Sequence, residues 1–184
     1  MSSTARYCLF ETPLGTCAVA WTDAGICGAS LPERAARQTR TRILRRHATA
    51  IESAPTATIN DAIDDIVRLL SGEPLDLSHI SLDESGLPEL NRRVYAITRA
   101  IPPGRTRTYG DIANELGDPM LAQRVGQALG HNPIPIITPC HRVLAASGKM
   151  GGFSAPGGTD AKRRMLLIEH ALPHEPLDLF EAMG

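Results

Sequence analysis

Residues 108–130, Thr108-Tyr109-Gly110-Asp111-Ile112-Ala113-Asn114-Glu115-Leu116-Gly117-Asp118-Pro119-Met120-Leu121-Ala122-Gln123-Arg124-Val125-Gly126-Gln127-Ala128-Leu129-Gly130, read as two short helices joined by a tight turn. Thr108 can cap a helix over 109–116, and Asp111, three residues on, closes a capping box. Gly117 ends that helix. Asp118-Pro119 then supplies an N-cap and a proline at the first helical position, opening a second helix that runs to about Leu129. Helices joined in this way form a helix-turn-helix.

The second helix carries an unusual surface. At about 100° per residue, Leu121, Val125, Ala128 and Leu129 point inward. The opposite face shows Gln123, Gly126, Gln127 and Gly130, with Ala122 beside them. Glycine in a helix interior costs roughly 0.5–1 kcal/mol relative to alanine. Gly126 therefore implies close approach by something bulky, either another helix or a nucleic-acid backbone.

Working outward, Leu90, Val94, Ile97 and Ile101 predict a preceding helix that Pro102-Pro103-Gly104 must end. Ala161, Met165, Ile168 and Leu172 mark a last helix. Toward the N-terminus, Tyr7–Phe10 and Cys17–Trp21 read as short strands around the turn Thr12-Pro13-Leu14-Gly15. Residues 33–48 hold six arginines with little apolar periodicity, so they form an exposed helix or a loop. Ile59, Ile63, Ile66 and Leu70 predict a helix with Thr58 and Asp61 at its start and Gly72 at its end. Residues 73–86 look like a connector. The expected fold is α/β of the α+β kind. A small sheet-plus-helix subdomain over 1–80 precedes a mainly helical domain over 81–175 that contains the helix-turn-helix, with a tail at 176–184.

Composition narrows the setting. The chain has 184 residues, 42% of them hydrophobic, which suits a folded protein and excludes disorder. No apolar run approaches the roughly 20 residues of a membrane span, and the first residues lack the apolar stretch of a signal peptide. Cytoplasmic location and no membrane partner are therefore expected. Cys8, Cys17, Cys27 and Cys140 match neither a disulfide framework nor a zinc knuckle, so reduced thiols and no metal are expected. The net charge of −1 conceals an asymmetry: residues 86–172 hold eleven Lys/Arg against six Asp/Glu, a net of +5. A basic segment around a helix-turn-helix is compatible with a polyanion partner, and the combination points to DNA.

The most informative stretch is Asn132-Pro133-Ile134-Pro135-Ile136-Ile137-Thr138-Pro139-Cys140-His141-Arg142-Val143. Its three prolines exclude a central strand or helix and fix an irregular path. That path delivers a single cysteine followed at once by histidine and arginine. A thiolate is a nucleophile, and a neighbouring His or Arg lowers a thiol's pKa.

Here the sequence resembles the O6-alkylguanine-DNA alkyltransferases (methylated-DNA–protein-cysteine methyltransferases). The resemblance rests on Pro139-Cys140-His141-Arg142-Val143, Asn132-Pro133, Tyr109-Gly110, Val125-Gly126, Gly152-Phe153-Ser154, Lys162 and Glu169. It covers residues 86–172 closely and reaches Thr12-Pro13-Leu14-Gly15 loosely. It implies a DNA-repair protein that moves a methyl or other alkyl group from O6 of guanine, or O4 of thymine, onto Cys140, once per molecule. By the same resemblance Tyr109 donates to the leaving base, His141 takes the thiol proton, Glu169 orients His141, and Asn132 braces the turn. Ser154 and Lys162 would line the base pocket, and Ala122, Gln123, Arg124, Gly126 and Arg142 would contact DNA. The implied partner is double-stranded DNA bound by a monomer, with no cofactor. The competing reading is a non-catalytic helix-turn-helix protein, either a lesion binder or a transcription regulator.

Three departures from the family pattern stand out. The loop Ala155-Pro156-Gly157-Gly158 is longer than in many members, and Tyr95 stands where tryptophan is common. The family also places an arginine two residues before Val-Gly, to fill the space a flipped guanine vacates. Here that position is Gln123, and Arg124 follows it. Either the helix is rotated or shifted so that Arg124 reaches in, or Gln123 serves as a shorter plug; the greater length and charge of arginine lead us to expect the dominant DNA contact from Arg124, to phosphate or inside the stack.

Overall fold

The computed structural model describes residues 4–172, so the expected tail at 176–184 lies outside the described residues. Strand β1 (Arg6–Thr12) and strand β2 (Gly15–Thr22) form the hairpin that the intervening turn demands. Thr12 Oγ1 donates to the Gly15 carbonyl at 2.8 Å and accepts from Leu14 N at 3.1 Å, and Gly15 adopts φ +126°. Strand β3 (Gly25–Ser30) pairs antiparallel with β2, and the two-residue β4 (Ile51–Glu52) lies parallel to β1, giving the order β3-β2-β1-β4.

Alternation along β2 decides what covers each face. Ala18 and Ala20 pack with Tyr7 and Ile43, which belongs to helix α1 (Ala36–Arg46). Cys17, Val19 and Trp21 pack on the other side with Ile59, Ile63, Ile66 and Leu70 of helix α2 (Ala57–Leu70). Residues 33–48 thus contain a helix, and only Thr39 and Ile43 of α1 are buried, which explains the faint periodicity. Helix α2 starts two residues earlier than its pattern indicated, with Thr56, not Thr58, as the cap that accepts from Ile59 N.

The second half builds a separate core. Helix α3 (Glu89–Arg99) packs Val94 and Tyr95 against Ile112 and Ala113 of α4 (Tyr109–Glu115) and Val125, Ala128 and Leu129 of α5 (Ala122–Gly130). The capping box forms as predicted, with Thr108 N donating to Asp111 Oδ2 at 2.8 Å and Asp111 N to Thr108 Oγ1 at 3.1 Å. Asp118 accepts from Met120 N, but it opens a short 3₁₀ turn over Pro119–Leu121 before α5 begins. Helix α6 (Gly158–Ile168) stops before Leu172.

Two features tie these elements to Cys140. Ile134, Ile136 and Ile137 enter the first core beside Trp21 and Ile66, so the proline-braced segment is anchored in the N-terminal sheet's own packing. Strands β5 (Arg107–Thr108) and β6 (Val143–Leu144) pair in parallel, which fixes the start of α4 beside the residues that follow Cys140.

Candidate active site

Cys140 opens a 3₁₀ turn, Cys140–Arg142, at the end of the proline-braced segment. Asn132 shapes that segment from both ends of its amide: Nδ2 donates to the Thr138 carbonyl at 2.9 Å and Oδ1 accepts from Ile134 N at 3.0 Å. Ile136 sits at φ +76°, a region that costs a β-branched residue about 1–3 kcal/mol and that persists only where surroundings enforce it. Cys140 is 8% exposed. Burial pushes its thiol up, against a hydrogen bond from Asn132 and the positive charge of Lys162, so the resting group is the thiol.

The next two residues turn inward. His141 is fully buried, with Nε2 2.8 Å from Glu169 Oε1. Its Nδ1 is buried and bonds no protein atom among the described residues. Burial drives the imidazole pKa down, more than the neighbouring Glu169 raises it, so the ring is neutral near pH 7. A neutral ring facing a carboxylate carries its proton on Nε2, which leaves the Nδ1 lone pair free. Burial alone would raise Glu169, but His141 and Arg142 bring its carboxyl down to about 2.

Arg142 corrects an expectation. Its guanidinium donates twice to Glu169, from Nε and Nη2 at 2.9 Å each, and from Nη1 to the Ile101 carbonyl at 2.6 Å. At 4% exposure it is committed to holding Glu169 and does not face DNA.

Cys140 opens on its other side into a cleft of about 560 Å³, whose walls include Tyr109, Ala122, Gln123, Gly126, Phe153 and Ser154. Burial raises the Tyr109 hydroxyl pKa, and the nearby Cys140 adds to the shift, so the phenol keeps its proton. Ser154 Oγ donates to the Gly130 carbonyl at 2.6 Å, joining two residues of the cleft lining. At Gly126 an added Cβ would meet only the Tyr109 ring, at 3.9 Å. That contact, with the first residue of α4, is ordinary van der Waals distance, so among the described residues nothing crowds Gly126 and its bareness leaves the cleft open.

Two expected contacts fall elsewhere. Lys162 is fully buried, donates Nζ to the Val143 carbonyl at 2.6 Å and lies 5.9 and 6.0 Å from the ring centres of Tyr109 and Phe153. It supports the cleft's aromatic side chains from behind rather than lining the wall, and burial lowers its pKa to about 8. Arg124 lies in a different surface depression, with Asn91, Gln127 and His131, while Gln123 faces Cys140's cleft. Among the described residues no group of three or more His, Cys, Asp or Glu side chains could hold a metal ion.

The family model described as 6-O-methylguanine DNA methyltransferase, DNA binding domain, matches residues 89–171. A methylated-DNA–protein-cysteine methyltransferase of Mycolicibacterium paratuberculosis is 42% identical over 120 residues, spanning 65% of this chain and 70% of the relative. Another, from Methanothermobacter thermautotrophicus, is 32% identical over 157 residues, spanning 85% and 81%. The chain belongs to the methylated-DNA–protein-cysteine methyltransferase family. A Mycobacterium tuberculosis OGT solved in complex with DNA superposes with a TM-score of 0.72 at 32% identity, covering 90% of this chain and 93% of that one.

As a methyltransferase of this family, the chain accommodates its departures locally. Tyr95 is 1% exposed and its hydroxyl donates to the Ala128 carbonyl at 2.7 Å, tying α3 to the end of α5. The lengthened loop ends at Gly157, whose φ of +84° lets the chain turn into α6. Sequence reading missed Arg42 and Arg46 of α1, which reach the segments around Cys140. Their signal was the arginine run itself, whose targets lie 112 and 86 residues away.

Proposed function

We propose that Cys140 accepts a methyl or other alkyl group from O6 of guanine, or from O4 of thymine, in double-stranded DNA. The observation that carries the reading is a buried cysteine followed directly by the fully buried His141, which is paired with Glu169, and a cleft of about 560 Å³ in front. O6 of a paired guanine lies within the stack, so the nucleotide is flipped into the cleft, where Ala122, Gln123 and Gly126 of α5 face the duplex. The Cys140 sulfur attacks the alkyl carbon, the S–C bond forms and the C–O6 bond breaks. The thiol proton passes through a water to His141 Nδ1, and Glu169 stabilises the resulting imidazolium. The Tyr109 hydroxyl donates to the departing base, whose anion leaves poorly without it. Asn132 and Ser154 hold the turn and the pocket wall.

The product is a thioether with no activated carbonyl for water to attack, so each molecule reacts once, with no cofactor. The protein acts as a cytoplasmic monomer, with 1–80 forming a support unit for the reactive domain over 81–175. The non-catalytic helix-turn-helix reading leaves Cys140, His141, Glu169 and Tyr109 without a use.

Incubation with duplex DNA carrying O6-methylguanine, followed by intact-protein mass measurement, tests the reading. One methyl mass gained per chain is expected, with none in Cys140→Ser. No gain in the unsubstituted protein, or continued turnover under excess DNA, overturns it.

A further inference from the structure

Helix α1 belongs to the N-terminal subdomain, yet two of its arginines, one turn apart, bond backbone carbonyls on opposite sides of Cys140. Arg46 Nη1 donates to the Asn132 carbonyl at 3.0 Å. Asn132 is the residue whose side chain braces the turn before Cys140, through the Thr138 carbonyl and Ile134 N. Arg42 Nη2 donates to the Ser154 carbonyl at 3.1 Å, while its Nη1 is held by Glu33 at 3.3 Å. Ser154 forms part of the cleft wall. A cavity of about 40 Å³ between these contacts is lined by both arginines, Asn132, Ser154 and Cys140. The N-terminal helix therefore grips the bracing turn and the pocket loop at once, and both segments are irregular backbone with no regular ladder of their own.

We infer that Arg42 and Arg46 are positioning residues for the transfer, setting the separation between Cys140 and the wall that holds the flipped base. This rests on the function proposed above. In-line attack needs the sulfur and the alkyl carbon aligned, and a misplacement of about 1 Å can cost roughly 100-fold in rate. Neither guanidinium lines the DNA-facing cleft. Their loss is thus expected to slow the chemical step without weakening DNA binding.

The experiment is single-turnover transfer from an O6-methylguanine duplex over a range of DNA concentrations, for the unsubstituted chain, Arg42→Ala/Arg46→Ala, and Arg42→Lys and Arg46→Lys singly. Arg37→Ala, on the exposed face of the same helix, controls for lost charge. The double alanine variant is expected to lose roughly 10- to 100-fold in maximal rate. Its half-saturating DNA concentration should hold, and its melting midpoint should stay within about 3 °C. Each lysine variant, still able to donate to one carbonyl, is expected to lose less than half of that effect on a logarithmic scale. Should the double variant fail to fold, the lysine variants carry the same reading through their maximal rates. The inference is overturned by an unchanged maximal rate, by a loss confined to half-saturation, or by Arg37→Ala slowing transfer equally. An unsubstituted chain that takes no methyl strikes the underlying function instead.

Discussion

Nε2 of His141 lies 2.8 Å from Oε1 of Glu169, and the same carboxylate is gripped by Arg142 through two bonds of 2.9 Å. Three consecutive residues thus divide one task. Cys140 faces the cleft, His141 faces the carboxylate, and Arg142 fixes that carboxylate from behind. Because Glu169 fixes the Nε2–H tautomer, the vacant nitrogen of His141 is the one available as a base.

Glu169 should dominate acid sensitivity. Its carboxyl is held at about 2 against an ordinary 4.5. The folded protein therefore binds this proton less readily than the unfolded chain. The stabilisation, on the order of 3 kcal/mol, is complete above about pH 4.5 and is lost as pH falls toward 2. Melting curves across that window should show a steep fall that Glu169→Gln flattens. The same variant should slow transfer at least about 100-fold at neutral pH, since the amide no longer holds the histidine tautomer. An equally steep fall in the variant would assign the acid sensitivity to other carboxylates.

Tyr109→Phe separates donation from packing. The ring remains against Gly126 and Lys162, so fold and DNA affinity should hold, while transfer should drop roughly 10- to 1000-fold with loss of the only donor offered by that side chain. Single-turnover rates beside equilibrium binding decide it. Equal losses in both would make the tyrosine a binding residue.

Gly126→Ala should move stability and activity in opposite directions. The new Cβ meets the Tyr109 ring at an ordinary 3.9 Å, so nothing must shift. The helix should gain about 0.5–1 kcal/mol, read as a raised melting midpoint. The methyl narrows the cleft in front of Cys140, so transfer from duplex DNA should slow. A variant that is both more stable and equally fast would show that the cleft has room to spare at α5.

How far this could be read from the chain depends on the range of the interaction. The helix-turn-helix was legible because Thr108, Asp111, Asp118 and Pro119 act within three residues of one another. The reactive cysteine was legible because three prolines exclude a central strand or helix before it and histidine and arginine follow it at once. Local signals misplaced the start of α2, where Thr56 and Thr58 are both good caps and packing of Ile59 and Ile63 selects the earlier one. Arg142 read as a DNA contact because the sequence does not show that Glu169, 27 residues on, returns beside it. Nothing local announces the two-residue strands β5 and β6, whose pairing joins Tyr109 to the cysteine turn.

The last prediction concerns the residue that fills the gap left by a flipped base. Sequence properties favoured Arg124 for the main DNA contact, since it is longer and charged. The fold divides the two positions differently. Gln123 lies on the wall of the cleft that contains Cys140 and Gly126, whereas Arg124 lies about 100° round α5 beside Asn91 and His131. A side chain must project beside the extruded nucleotide to occupy its place in the stack, and of the two it is Gln123 that lines the cleft. Arg124 is suited to a backbone phosphate, which contributes affinity without helping extrusion. Gln123→Ala should therefore slow transfer from duplex DNA while leaving transfer from the free methylated base nearly unchanged. Arg124→Ala should weaken binding to any duplex and reduce the slope of log affinity against log salt by about 0.9. Restoring arginine at the cleft position, Gln123→Arg, should speed duplex repair, because its guanidinium can stack on neighbouring bases and reach a phosphate at the same time. Measuring the three variants on one methylated duplex at fixed salt separates the roles. A larger loss of duplex transfer from Arg124→Ala than from Gln123→Ala, with an unchanged salt slope, would return the gap-filling role to the arginine and require α5 to rotate on DNA.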